Sequence, residues 1–137
     1  AASRIDSSGA RHIITVPDHV EVIYETTSGP VVHIRLSQVT GLAPSDHFWF
    51  FGTEGTLYFD VGKGQLSGGQ RCQNMLQPID ISLAKQGHWR VEEEFVNAIR
   101  GTEPITHTTF EDGVRYMEFT EAVARSAQSH EVTYLPL

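Results

Sequence analysis

Glycine spacing supplies the first candidate chemistry. Residues 61–71 read V-G-K-G-Q-L-S-G-G-Q-R, and two nucleotide-type patterns overlap there. Gly62, Gly64 and Gly68 approximate a dinucleotide fingerprint, whose glycines let the backbone close on a pyrophosphate. Leu66–Gln70, L-S-G-G-Q, has the form of a loop that cradles a nucleotide phosphate. Imidazoles are the second resource, at His12, His19, His33, His47, His88, His107 and His130. His33 and Arg35 lie two apart on an alternating segment, so they share a face that can hold an anion or pair with an acid. The run Glu92–Glu94 offers either a solvated helix face or an acid/base pair.

Each pattern needs context. The pentapeptide resembles the signature loop of ABC-type ATPases, but an ATP site also needs G-x-x-x-x-G-K-[ST] to wrap the phosphates. Lys63 and Lys85 are the only lysines, and neither ends such a loop. The signature should also open a helix, whereas R-C-Q-N-M-L-Q-P-I-D is broken by Pro78. The dinucleotide pattern has a strand before it and Asp80 as a ribose-binding acid. Yet Gly68-Gly69 is a poor helix start, and hairpins replace the parallel crossovers such a site requires. The stretch therefore reads as a surface loop between sheet strands. No histidines show H-x-x-x-H or H-E-x-x-H spacing, and no G-x-S-x-G elbow is present. The residues themselves name no catalytic, cofactor-binding or metal-binding side chain.

Composition narrows the partners. The net charge is −7 over 137 residues with no Lys/Arg run, which argues against nucleic acid or an anionic membrane surface. Cys72 is the lone cysteine, so it has no partner for an internal disulfide or zinc site. No apolar run reaches a membrane span and no signal-peptide core is present, so cytoplasm is the expected location. The chain starts at Ala1 rather than Met, which fits a piece of something longer.

Strand signals fill the first two thirds. Residues 12–16 are a short strand, with 1–15 otherwise irregular or at an edge. V-E-V-I-Y-E-T (20–26) and V-V-H-I-R-L-S-Q-V-T (31–40) alternate apolar and polar residues around T-S-G-P. A loop at 27–29 sets Tyr24 opposite Val32, Val22 opposite Ile34 and Glu21 opposite Arg35, which puts the apolar residues on one face. H-F-W-F-F (47–51) and T-L-Y-F-D-V (56–61) form a second hairpin through Gly52–Gly55. Phe48–Phe51 is apolar on both sides, so each face of that strand meets protein. Trp49 and Phe51 join His33 and Arg35 as candidates for an oligomer-side or substrate-side sheet face.

The last third changes to helical period. W-R-V-E-E-E-F-V-N-A-I-R-G (89–101) gathers Val91, Phe95, Ala98 and Ile99 on one stripe, with Arg90, Glu93, Glu94 and Asn97 on the wet side and Gly101 as the stop. Residues 109–129 form a longer helix capped by Thr109. Tyr116, Met117, Phe119, Val123, Ala124 and Ala127 make its wide apolar face, and Glu111–Arg115 and Glu121–Arg125 pair on the other. E-V-T-Y-L-P-L (131–137) closes as a short strand. The expectation is one α+β domain over residues 1–137: a mostly antiparallel open sheet with two C-terminal helices packed on one face.

F-G-T-E-G-T-L-Y-F-D (51–60) and the long segment from Trp89 to Leu137 resemble the C-terminal domain of the Gfo/Idh/MocA oxidoreductases. The strand pair V-P-D-H-V-E-V-I-Y-E-T-T-S-G-P-V-V-H-I-R-L-S-Q fits the same family, so the resemblance runs from about Val16 to Leu137. It implies a Rossmann domain upstream that holds NAD or NADP. This chain would then supply one wall of a pocket for a sugar, cyclitol or similar alcohol, and a homo-oligomer contact through the sheet. The family's cofactor fingerprint, its Glu-Lys-Pro segment and its Asp-x-x-x-His are absent, so no catalytic residue carries over and the chain alone is expected to be inactive. The alternative is a stand-alone α+β binding or oligomerisation module.

Overall fold

The structure, a computed structural model, describes residues 3–106 and 108–137; His107 lies outside the described residues. Its class is α+β, with antiparallel strands in open sheets followed by two helices. Residues 1–80 and 81–137 form two compact units.

The first unit carries all the strands among the described residues. β1 (Ser3–Ile5) pairs antiparallel with β2 (Arg11–Ile13), so the short strand expected at 12–16 begins one residue earlier and stops before Ile14. Asp6 closes this hairpin. Its Oδ1 accepts from the Ser8 amide at 2.8 Å, the Ser8 hydroxyl at 2.6 Å and the Ala10 amide at 3.0 Å, while Oδ2 lies 2.7 Å from His12 Nε2. The Ser8 hydroxyl, the His12 ring and the Ala10 amide together hold the Asp6 carboxyl down at about 2. A depressed carboxyl stabilises the fold above its unfolded value, and that contribution is lost as pH falls through the folded one. An NMR titration should therefore place the Asp6 midpoint near 2. In a variant carrying Ser8→Ala and His12→Ala it should move toward the free-peptide value of about 3.9.

β3 (His19–Glu25) and β4 (Val31–Ser37) form a separate hairpin. Tyr24 pairs with Val32, Val22 with Ile34 and Glu21 with Arg35, the register expected from alternation. The turn is closed by Thr26 N–H donating to Pro30 O and Gly29 N–H to Thr26 O, both at 2.9 Å, with Gly29 at φ +102°. That left-handed conformation is why glycine ends the loop.

A four-stranded sheet follows in the order β5-β6-β7-β8: β5 (His47–Phe51), β6 (Gly55–Asp60), β7 (Gln65–Gln70) and β8 (Gln77–Pro78). β7 corrects the sequence reading. The segment expected to be a surface loop is an inner strand, with Tyr58 opposite Ser67, Leu57 opposite Gly68 and Thr56 opposite Gly69. Its glycines answer crowding across the sheet. A Cβ at Gly68 would sit 2.8 Å from Ile79 Cδ1 and 2.9 Å from Leu57 Cδ2; one at Gly69 would sit 3.1 Å from the Met75 carbonyl oxygen.

In the second unit, a single 3-10 turn (Leu83–Lys85) precedes α1 (Val91–Ile99) and α2 (Phe110–Ser129). Gly101 stops α1 at φ +70°, and Thr109 caps α2 in a capping box with Asp112. The Thr109 amide and hydroxyl hold the Asp112 carboxyl below its usual range. Glu121 pairs with Arg125 at 2.8 Å as expected, but Arg115 turns to Asp112 at 3.4 Å rather than to Glu111. On α2, Phe119, Val123 and buried Ala122 face inward, whereas Tyr116 and Met117 stay exposed, so the wide apolar face is covered only in part. Residues 131–137 are not a strand: among the described residues of this unit there is no strand for them to pair with. No helix among the described residues is long and apolar enough to cross a membrane.

Candidate functional site

The four sequence candidates fall on two sheets. His33 and Arg35 project from the exposed face of β4, and both turn to Glu21 on β3. Arg35 Nε lies 3.3 Å from Glu21 Oε1 and His33 Nε2 lies 3.7 Å from Oε2; His19 Nε2 approaches Oε1 at 3.5 Å. One carboxylate thus engages all three cationic or cation-capable groups. The arrangement is a surface ion cluster, and its positive charge is already answered within the strand pair. His19 and Glu21 were not among the sequence candidates, although the i,i+2 spacing on one face was readable.

Trp49 and Phe51 lie together on one face of β5. Their rings stack at 5.6 Å with an interplanar angle of 2°, and Trp49 packs on Tyr58 of β6 at 4.5 Å. His47 completes the row, 5.9 Å from Tyr58. On the opposite face Phe48 stacks on Phe59 at 6.4 Å. The sheet therefore has an aromatic row on each side, with Tyr58 and Phe59 of β6 half-buried and the β5 side chains exposed. Phe48 is 55% exposed, Trp49 46%, Phe50 57% and Phe51 78%.

The glycine stretch is built for the sheet. The amides of Gln65, Ser67 and Gly69 turn to β6, Leu66 and Gly68 turn to the β8 side, where the Leu66 carbonyl accepts from Ile79 N–H at 2.9 Å, and the Gln70 amide donates to Gln73 Oε1 at 2.8 Å. Backbone amides engaged in this way do not converge on a phosphate. Lys63, the cation that a phosphate would need, faces Asp60 at 3.3 Å. Asp60 is buried and accepts from the Ser45 hydroxyl at 2.9 Å and the Lys63 amide at 3.0 Å, and these bonds hold its carboxyl below the usual range. The segment does not fit a dinucleotide.

α1 departs from the expected polarity at three positions, while Val91 and Ala98 of the apolar stripe are half-buried. Glu94, placed on the wet side by its helical spacing, is 1% exposed, while Phe95 and Ile99 of the apolar stripe face solvent. Glu94 Oε2 accepts from the Thr106 amide at 3.0 Å and Oε1 from the Thr106 hydroxyl at 3.1 Å, with Arg90 Nη1 at 3.9 Å. Arg90 also donates to Glu93 at 3.1 Å and to both oxygens of Glu103 at 3.0 and 3.1 Å, and Asn97 Nδ2 joins Glu103 at 2.9 Å. The polar side of α1 thus ties down the segment leading to α2. Glu93 and Glu103 push the Arg90 guanidinium further into its charged range, and Arg90 in turn holds the Glu93 carboxyl low. Glu93 is thereby kept ionised, which suits an ion-pair network better than proton transfer.

Among the described residues no group of His, Cys, Asp and Glu is arranged to hold a metal ion. No protein-family model, curated protein or solved structure matches this chain.

Proposed function

We propose that this chain is the substrate-side and assembly portion of an NAD(P)-dependent oxidoreductase of the Gfo/Idh/MocA kind, acting on a sugar, cyclitol or similar alcohol. The observation that carries this reading is surface left without cover. The chain exposes 12064 Å², whereas a folded monomer of its 15.2 kDa exposes about 7,100 Å². Even two separate bodies divided after Asp80 would expose only about 8,500 Å². The aromatic side chains of β5 and Phe95 and Ile99 of α1 are part of that exposed surface. Such a surface supports the reading of a part that packs against another domain and against other copies.

The division of labour follows. NAD or NADP belongs to a separate domain, a reading supported by the commitment of Gly68 and Gly69 to β7. His33 and Arg35 are tied to Glu21, so the polar side of β3–β4 offers hydrogen-bonding groups without a free cation. Trp49, Phe51 and Tyr58 offer an apolar wall of the kind that packs on a sugar ring.

The coding sequence upstream of Ala1 is the direct test. It should specify G-x-G-x-x-G at a strand–helix turn and an Asp followed four residues later by His, and an upstream region without them would overturn the assignment. Titration of the chain with NADH and NADPH should show no saturable binding up to about 1 mM, the top of the usual range for enzyme ligands. Saturable binding abolished by Gly64→Val would instead place a cofactor site in the glycine stretch.

A further inference from the structure

We propose that β5 is a pairing edge for a second copy of this chain, joined antiparallel about a two-fold axis at Trp49. β5 is the outer strand of its sheet, so its far side has no ladder partner among the described residues. Which groups point outward follows from two bonds to the β6 side. Val61 N–H donates to Asp46 O at 2.9 Å and Gly52 N–H donates to Gly55 O at 2.8 Å. Antiparallel pairing alternates, so Phe48 and Phe50 also turn to β6, and His47, Trp49 and Phe51 direct their N–H and C=O groups outward.

This segment is complementary to itself. A two-fold at Trp49 opposes Trp49 to its equivalent and His47 to Phe51 of the second copy. Each opposed pair then exchanges both N–H···O=C bonds. Sliding by one residue would set outward groups against inward ones and break the ladder. The same two-fold keeps Trp49 and Phe51 of both copies on one face and Phe48 and Phe50 on the other, which extends both aromatic rows across the junction. Edges are ordinarily blunted by Lys, Pro or inward charges; His47–Phe51 contains no Lys, Arg, Asp, Glu or Pro.

Exposed aromatic surface on β5 amounts to roughly 450 Å² per copy, taking about 200 Å² for each ring. Pairing at the edge covers only part of that surface and leaves both faces open, so the contact is small, which implies a reversible dimer. The edge deepens the assembly half of the function proposed above and is independent of its oxidoreductase half. A monomer whose upstream sequence carries the fingerprint would sink the edge alone. A cross-linked dimer without the fingerprint would sink the enzyme assignment alone.

The test uses the full chain with Cys72→Ser. Opposed residues of a hydrogen-bonded pair have Cα atoms about 5.5 Å apart, within disulfide range. Oxidised Trp49→Cys should therefore give a covalent dimer, and Phe48→Cys should not. Because Trp49 contributes contact area, a second experiment retains it. His47→Cys mixed with Phe51→Cys should cross-link to each other, while neither alone cross-links, since like positions then stand about 13 Å apart. Sedimentation of the unaltered chain should show dimer at roughly 300 µM, well above a dissociation constant on the order of 10 µM. A monomer at that concentration overturns the proposal. So does a dimer that fails both cross-links, because it would be joined by a face instead of the edge.

Discussion

Replacing Gly55 by alanine should unfold the four-stranded sheet. Gly55 opens β6 opposite Gln70, and a Cβ there would overlap the carbonyl oxygen of Gly69 and lie 3.2 Å from the Gln70 Cα. Both obstacles are backbone in the neighbouring strand, so no side chain can swing aside. Overpacking usually costs about 1–3 kcal/mol, and the upper end applies where the surroundings are a hydrogen-bonded ladder. For a sheet with so little buried apolar surface, a loss of about 3 kcal/mol exceeds what it can tolerate. The near-ultraviolet circular dichroism of Trp49 and Tyr58 should collapse toward the unfolded signal. Gly52→Ala is the control, since its Cβ would meet only the Gly55 oxygen, at 3.3 Å, within the same turn. Native spectra for Gly55→Ala would mean that β6 and β7 are not held at this spacing.

Glu94→Ala should cost the second unit about 2–3 kcal/mol, whereas Phe95→Ala should change it by no more than about 0.5 kcal/mol. Removing the buried Glu94 carboxylate takes these acceptors from the Thr106 amide and hydroxyl and one of three acidic neighbours from Arg90. Phe95 is exposed and has little packing to lose. For a unit of this size about 3 kcal/mol lowers the melting temperature by roughly 12–24 °C. Differential scanning calorimetry of the two variants decides it. A larger effect at Phe95 than at Glu94 would mean that the apolar stripe, not the polar network, packs inward.

These two sites mark the limits of what the sequence disclosed. The β3–β4 register was readable because the turn and the alternation constrain it together, and either alone would leave a slip open. The Thr109 cap was readable because its partner Asp112 lies three residues away. β7 was not, since Gly68 and Gly69 are poor strand formers by local propensity, and their reason for being there is Ile79, Leu57 and Met75 across the sheet. Glu94 was not, because its spacing fits a wet face and its partner Thr106 stands beyond the end of α1. His33, Arg35, Trp49 and Phe51 were joined as candidates for a single sheet face, because no pattern within either strand shows that β4 and β5 occupy different sheets. The edge at β5 was equally hidden: its outward amides follow from where β6 pairs, not from residue type.

The exposed aromatic side chains of β5 also bear on how the chain responds to heat and cold. Heat capacity on unfolding comes from newly hydrated apolar surface, and here much of that surface is already wet in the folded state. The increment therefore falls well short of the roughly 1.6–2.1 kcal/mol/K ordinary for 137 residues. The stability curve of the chain alone is correspondingly broad and shallow, and the strong temperature dependence of a closed core develops only when its open faces are covered.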